Sequence, residues 1–247
     1  MRFFIELSYN GSAYHGWQRQ PNAISVQQVL EESLSTILQE TIVVFGAGRT
    51  DAGVHASQMF AHFDVDRQLP EALVFKLNSL LPVDIAVHDL FEVKEDAHAR
   101  FNAQSRSYIY KISVRKNVFN THFAFSFHKD LNINRMNEAC KILFQYKDFQ
   151  CFSKSNTDVK TYHCKIMEAQ WYVKDHELHF QITADRFLRN MVRAIVGTLI
   201  EIGVGKLNVE DLHKIITSKD RSEAGFSVPA HGLYLTDIRY PDSIKRD

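Results

Sequence analysis

The sequence predicts an α+β fold in which a mixed or antiparallel central sheet is flanked by helices. Strand-like segments with alternating apolar residues and helix-like segments with apolar residues three or four positions apart are mixed along the chain. They do not follow the regular strand–helix alternation of a doubly wound parallel sheet. With 247 residues and 45% hydrophobic content, the chain can build a large core in one domain or in two joined halves.

The first half is expected to begin with a strand over residues 3–9, because Phe3, Ile5 and Leu7 would share one face. A glycine- and aromatic-rich loop follows up to Gln20. A helix is expected from Ser25, which forms a capping-box pattern with Gln28. The remaining segments of this half are expected in the order strand 42–47, strand 58–65, helix 70–81 with Pro70 first, strand 85–93 and strand 105–114.

The second half repeats the mixture of strands and helices. Its segments are expected in the order helix 134–144, strand 165–173, strand 178–183, helix 188–202, helix 209–217 and strand 233–240. No flexible linker separates the halves. We therefore expect an N-terminal half over residues 1–115 and a C-terminal half over residues 116–247.

Composition constrains the class of protein. Lysine plus arginine and aspartate plus glutamate number 29 each, so a nucleic-acid partner would require positive charge gathered on one face. Three cysteines without CxxC spacing argue against a disulfide framework or a zinc ribbon. Glu6 interrupts any signal-peptide pattern, and the apolar stretch at 195–202 is too short to span a bilayer. These features predict a cytoplasmic protein.

The segment 48–56, GRTDAGVHA, is the strongest candidate for a functional turn. A structural turn capped by Asp51 is the ordinary interpretation. The functional interpretation places Arg49, Thr50, Asp51 and His55 together, with Asp51 as a covalent nucleophile and the glycines allowing close approach of a ligand. The preceding Gly-Ala-Gly lacks the third glycine of a dinucleotide fingerprint, and no phosphate loop or metal-ligand spacing occurs, so no cofactor or metal is expected.

Three further residues have both a structural and a functional interpretation. Tyr108 and Tyr110 alternate on a predicted strand, and spacing alone favours a structural role for Tyr108. Arg193 lies on an apolar helix, where a buried arginine requires a carboxylate partner such as Asp51. Trp17 fits loop packing and RNA contact equally well.

Five sequence blocks together resemble the tRNA pseudouridine synthase A family over nearly the whole chain. The segment GRTDAGVHA at 48–56 resembles the signature motif of this family. The other blocks are YHGWQRQ at 14–20, ARF at 99–101 with RSYIY at 106–110, FLRNMVR at 187–193 and GLYL at 232–235. The resemblance implies the pseudouridine synthase fold, with two α/β halves and a cleft between them. It also implies a homodimer that binds tRNA and needs no cofactor.

The resemblance also implies a role for each matching residue. Asp51 matches the nucleophile, and Arg193 matches a basic residue that pairs with it. Tyr108 matches a tyrosine that stacks on the target uracil, Arg49 an arginine that helps extrude the base, and Leu233 an apolar residue that packs on the base. The implied reaction isomerises uridine to pseudouridine in the anticodon stem-loop, at tRNA positions 38–40.

Two other functions remain open from the sequence. A non-catalytic RNA-binding protein could use the same scaffold, although it would not need Asp51, Tyr108 and Arg193 together. A small-molecule enzyme such as a phosphohydrolase could also use Asp51 as a nucleophile. A phosphohydrolase of this kind would need metal-binding carboxylates beside Asp51, and the sequence on either side of Asp51 has no Asp-x-Asp arrangement.

Overall fold

The computed structural model describes residues 1–154 and 159–246. Within these ranges the strands are β1 Arg2–Tyr9, β2 Phe45–Gly46, β3 His55–Asp64, β4 Ile85–Val93, β5 Ser105–Ser113, β6 Phe125–Ser126, β7 Ile166–Lys174, β8 Glu177–Ala184 and β9 Leu233–Arg239. The α-helices are α1 Val26–Leu38, α2 Leu73–Leu80, α3 Ile133–Leu143, α4 Met191–Gly203 and α5 Asp211–Ser218.

The chain forms two compact units. The first comprises Met1–Gln104 with Leu235–Asp247, and the second comprises Ser105–Tyr234. These bounds differ from the division at residue 115 expected from the sequence, because the C-terminal strand returns to the first unit. Such long-range pairing leaves no local sequence signal. The domain assignment 1–115 and 116–247 itself stays a prediction.

The first unit is built on a sheet with strand order β4-β1-β3-β9, to which β2 adds beside β3. Strand β1 is antiparallel to both β3 and β4. Phe4, at the centre of β1, is fully buried and contacts the rings of Phe60, Phe91 and Tyr240. Aromatic packing on this strand therefore forms much of the unit's core.

Helix α1 begins where the capping pattern predicts. The Ser25 side chain accepts a hydrogen bond from the Gln28 backbone N–H. The Gln28 side chain donates through its Nε2 to Glu32, one turn further along the helix. The buried face includes Gln27 and Glu31 beside the expected aliphatic residues, so this helix carries polar groups into the interior.

The second unit is built on a sheet in which β8 lies between β5 and β7 and is antiparallel to both. The short strand β6 runs parallel to β5, which makes the pairing mixed. Helix α3 packs against β7 and against α4. Helix α4 is buried at most positions, as expected for a helix apolar on several faces.

The α+β fold class with a mixed, mostly antiparallel sheet is confirmed. The main errors concern element ends. The helix expected over 70–81 begins only at Leu73, after Ala72 in the left-handed region with φ 57°. The helix expected over 188–202 begins at Met191, after Asn190 with φ 68°. The strand expected over 42–47 shrinks to Phe45–Gly46. Hydrophobic periodicity does not predict residues in the left-handed region that delay the start of a helix.

No helix within the described residues is long and apolar enough to cross a membrane. The three cysteines, Cys140, Cys151 and Cys164, are free and buried. Burial raises the pKa of each of these thiols to about 12.

Candidate active site

Asp51 lies in a tight turn that enters β3. The Val54 N–H donates to the Asp51 carbonyl at 3.1 Å, which closes the turn. Gly53 has φ 78°, a left-handed conformation that glycine adopts without steric cost. The Asp51 side chain is half-buried. The turn is thus a defined platform for one carboxylate.

The loop between β1 and α1 holds this turn by backbone contacts. The Trp17 N–H donates to the Thr50 carbonyl at 3.3 Å, and the Gly53 N–H donates to the Tyr14 carbonyl at 3.2 Å. Gly16 has φ 87°, and a Cβ at this position would lie 2.2 Å from the Thr50 carbonyl oxygen. Only glycine allows this approach. The blocks at 14–20 and 48–56 therefore form one structural unit.

Side chains reinforce the loop and the turn from behind. The hydroxyls of Tyr9 and Thr50 share a buried hydrogen bond of 2.9 Å. The Tyr14 hydroxyl donates to Asp84 Oδ1 at 2.6 Å, and burial together with this bond raises the Tyr14 pKa. Trp17 is 1% exposed and lies against Gly46, where a Cβ would come within 2.3 Å of the indole nitrogen. Trp17 is therefore a packing residue, and the RNA-contact interpretation is wrong.

The three residues expected to cluster around Asp51 have different environments. His55 is 1% exposed, and its Nδ1 accepts the Gly11 N–H at 3.1 Å. Thr50 is buried as well, so both residues support the turn from inside. Arg49 is exposed, and its Nε donates to Gln18 Oε1 at 3.1 Å. Arg49 is thus the cation of the turn that a ligand can reach.

Arg193 lies in the first turn of α4 in the second unit. Its Nε donates to the Val228 carbonyl at 2.7 Å, and the Val228 N–H donates to the Arg193 carbonyl at 3.3 Å. The segment before Val228 crosses α4 at Gly197, where a Cβ would lie 1.8 Å from the Phe226 carbonyl oxygen. This close crossing fixes the carbonyl that orients the guanidinium.

The two tyrosines on β5 have different roles. Tyr110 is fully buried, and its hydroxyl donates to the Pro229 carbonyl at 2.9 Å. Burial raises its pKa, and the nearby Arg193 charge opposes that rise. Tyr108 is half-buried and meets the ring edge of Phe187 at 5.1 Å, with an interplanar angle of 88°. Tyr110 is therefore structural, whereas Tyr108 keeps an accessible ring held in place by Phe187.

Each candidate residue can thus be placed. Arg49 and Asp51 lie on one turn in the first unit. Tyr108, Arg193 and Leu233 lie in the second unit. Leu233 is 6% exposed and begins β9, directly after Gly232, where a Cβ would meet the Tyr110 ring at 2.8 Å.

Several residues that set this geometry were not predicted as site residues. Tyr9, Tyr14 and Asp84 anchor the turn, and Val228 orients Arg193. The glycine pair Gly16 and Gly53 gave a signal, because each stands where a tight approach is needed. The tyrosine–aspartate pairing spans 70 residues and had no signal.

A carboxylate on a hydrogen-bonded turn beside an accessible arginine, in an α+β protein, is compatible with an enzyme that acts through an aspartate side chain. The family model described as tRNA pseudouridine synthase matches residues 7–102 and 139–241. The chain belongs to this family.

Curated relatives carry the name tRNA pseudouridine synthase A. The protein from Bacteroides fragilis is 52% identical over 246 residues, covering 98% of both chains. The protein from Porphyromonas gingivalis is 52% identical over 248 residues, again covering 98% of both. The Bacillus subtilis protein is 38% identical over 245 residues, covering 97% of this chain and 99% of its own. The similarity therefore extends over nearly the full length.

Proposed function

We propose that this chain isomerises uridine to pseudouridine in the anticodon stem-loop of tRNA, with Asp51 as the nucleophile. The observation that carries the proposal is the Asp51 turn, held by backbone hydrogen bonds from the loop at 14–20, in a chain similar over nearly its full length to proteins named tRNA pseudouridine synthase A.

The reaction is an internal rearrangement of one nucleotide. The bond from ribose C1′ to uracil N1 breaks, and a bond from C1′ to C5 forms. The C5 proton leaves, and N1 gains a proton, so no oxidant or external group is consumed. Asp51 attacks C6 of the uracil, attacks C1′, or promotes loss of a ribose proton by a glycal route. All three routes need an ionised carboxylate held at the reacting nucleotide.

The other candidate residues have roles that suit their local settings. The resemblance assigns Arg193 the role of the basic residue that pairs with Asp51. Its Nε is fixed by the Val228 carbonyl, which orients the guanidinium. Tyr108 stacks on the detached uracil while it turns, and Leu233 packs on the base. The ring of Tyr108 is held for this by Phe187.

A base in a stem or loop has to leave its stack before it can react. Extrusion costs about a few kcal/mol, and groups that fill the vacated space offset it. Arg49 is exposed and its side chain is held by a hydrogen bond to Gln18, so it suits this role.

We further propose a homodimer and a cytoplasmic location, as the resemblance implies for a tRNA-modifying enzyme. Sedimentation of the purified protein tests the dimer.

The decisive experiment maps pseudouridine chemically in unmodified tRNA transcripts after incubation with the protein. We expect product in the anticodon stem-loop. Asp51→Asn should abolish product while the Kd for tRNA changes little, because the amide is isosteric but not nucleophilic. Asp66→Asn, the same change at an exposed aspartate of the first unit, should keep normal turnover. Near-normal turnover by Asp51→Asn would refute the proposed role of Asp51.

Arg193 can be tested with two substitutions. Arg193→Met should lower kcat and change the pH–rate profile, since the carboxylate loses its cation. Arg193→Lys should recover part of the activity because the charge is retained, although the bond to Val228 is lost. An unchanged rate and pH profile in Arg193→Met would remove this residue from the site.

The alternative is a non-catalytic RNA-binding protein. It predicts tRNA binding by the wild-type protein with no pseudouridine at any position. The same transcript experiment therefore separates the two functions.

A further inference from the structure

Four rings and one guanidinium form a cluster on the first unit, apart from the Asp51 turn. Phe45 stacks on His62 with ring centroids 5.2 Å apart and an interplanar angle of 23°. His98 lies 4.5 Å from His62 and 4.3 Å from Phe101. The Arg100 guanidinium carbon lies 5.7 Å from the centre of the Phe101 ring. We call Phe45, His62, His98, Arg100 and Phe101 the aromatic patch.

The outer rings of the aromatic patch face solvent. Phe101 is 74% exposed and Phe45 is 52% exposed, whereas His62 is buried beneath them. The backbone fixes the arrangement, because the Ala99 N–H donates to His62 Nδ1 at 3.2 Å. The rings are therefore presented in a fixed geometry. Exposed aromatic side chains in contact with one another mark a binding surface more often than isolated ones do.

Two arginines lie near the aromatic patch, Arg2 paired with Asp64 and Arg100 beside Phe101, and the imidazoles themselves are neutral near pH 7. Burial, then the charges of His98 and Arg2, lower the pKa of His62 to about 4. Burial, then Arg2 and Arg100, lower the pKa of His98. Neutral rings with a guanidinium beside them combine a stacking surface for a base with a donor for phosphate.

The position of the aromatic patch suits a substrate that extends beyond the reacting nucleotide. Phe45 precedes Asp51 by six residues, and an extended chain of that length spans at most about 20 Å. A stem-loop bound at Asp51 therefore has neighbouring nucleotides within reach of Phe45.

We propose that the aromatic patch is a stacking platform for an unpaired nucleotide of the tRNA, with Arg100 pairing to the adjoining phosphate. This inference rests on the proposed function, since it assigns part of the same substrate. A second copy of the chain is the less suitable occupant, because two partly exposed phenylalanines fall well short of the roughly 800 Å² per partner of a stable protein interface.

Steady-state kinetics on a tRNA transcript test the platform. Loss of one stacked base weakens binding by about 1–3 kcal/mol, so Phe101→Ala should raise KM by about fivefold to 100-fold and leave kcat unchanged. Phe101→Trp should keep the wild-type KM, because the ring is retained. Phe75→Ala, at a 73% exposed phenylalanine on α2 of the same unit, is the matched control and should change neither constant.

Fluorescence gives a readout that does not depend on catalysis. The two native tryptophans, Trp17 and Trp171, are 1% and 3% exposed, so the tryptophan in Phe101→Trp would be the solvent-facing one. A uridine oligonucleotide and the tRNA transcript should both quench it, whereas the Phe75→Trp variant should keep its emission. This measurement stands even if the wild-type protein forms no pseudouridine, so it separates failure of the platform from failure of the proposed function.

Two results would overturn the inference. One is a wild-type KM in both Phe101→Ala and Phe45→Ala, together with an unquenched Phe101→Trp variant in active protein. The other is a change of oligomeric mass in Phe101→Ala with no change in KM, which would make the aromatic patch a protein interface.

Discussion

Single glycines decide how closely the candidate nucleophile is held. At Gly16 a Cβ would lie 2.2 Å from the Thr50 carbonyl oxygen, one residue from Asp51, and the backbone already has φ 87°. An alanine would be strained both by its conformation and by the contact, because the neighbouring atom is backbone and cannot rotate away. The position of the carboxylate therefore depends on a residue that has no side chain.

We expect Gly16→Ala to destabilise the protein by about 1–3 kcal/mol and to lower kcat for pseudouridine formation. Thermal unfolding and transcript turnover measure the two effects. Gly48→Ala is the stability control, since a Cβ there has no atom within 4 Å. If Gly16→Ala matched the wild type in both assays, the loop would not be what holds the turn.

His62 makes stability depend on pH. Its folded pKa of about 4 lies below the ordinary 6.5 because burial and nearby positive charge disfavour the proton. Between those values the unfolded chain binds the proton and the folded chain does not, so stability falls as pH drops from about 6.5 to about 4. Below the folded pKa this contribution is fully lost.

Urea unfolding at pH 7 and pH 5 measures this effect. The wild type should lose free energy of unfolding over that interval, and His62→Asn should lose less, because asparagine keeps an acceptor for the Ala99 N–H but does not titrate. Equal losses in the two proteins would show that other groups cause the acid sensitivity.

At the scale of elements, helix α1 acts through its buried polar side chains. Glu31 is 5% exposed and accepts hydrogen bonds from Gln27, from Arg19 and from the Val44 N–H. The helix thereby holds both the chain entering β2 and the end of the loop that clamps Asp51. An aliphatic stripe alone would bury the helix without fixing these neighbours.

Glu31→Ala should lower the free energy of unfolding by about 2–3 kcal/mol, because the buried Val44 N–H loses its acceptor. Glu32→Ala on the exposed face of the same helix should stay within about 0.5 kcal/mol of the wild type. Denaturant titration of both variants tests this. Similar losses at the two positions would mean that helix propensity, not the buried contact, sets the effect.

The sequence predicted the type and order of the elements well, since apolar spacing reports which face is buried. It did not predict the left-handed residue before a helix, as at Asn190, or the polar residues on the buried face of α1. Hydrophobic periodicity assigns Gln27 and Glu31 to solvent, and only the distant partners explain their burial. The residues around Asp51 could be proposed as a site from the sequence because they lie in one short motif, whereas Tyr14 and Asp84 form a long-range pair without a local signal.

At the scale of the whole molecule, acidic and basic residues are equal in number, so the local grouping of basic residues determines how the protein attracts a nucleic acid. The chain has 29 of each, so overall attraction to tRNA is small. We therefore expect binding to depend on local groups of exposed residues, and propose that Arg49 and Phe101 are among them.

The thiols provide a measure of global opening. All three cysteines belong to the second unit, are buried, and have a pKa of about 12, so they are neither accessible nor ionised at neutral pH. We expect no labelling by an aromatic disulfide reagent in the native protein and three reactive thiols per chain in denaturant. Rapid labelling of one thiol under native conditions would reveal local opening of this unit.

The contact between Gly16 and Thr50 also bears on how this enzyme can be recombined with its relatives. The segments 14–20 and 48–56 are more than twenty residues apart, yet each is shaped to the other's backbone. A chimera that takes one segment from a distant homologue and the other from this chain would lose part of the backbone contact between them. If both segments were exchanged together, their contacts would be preserved. A library of chimeras should therefore avoid crossover points between residues 20 and 48.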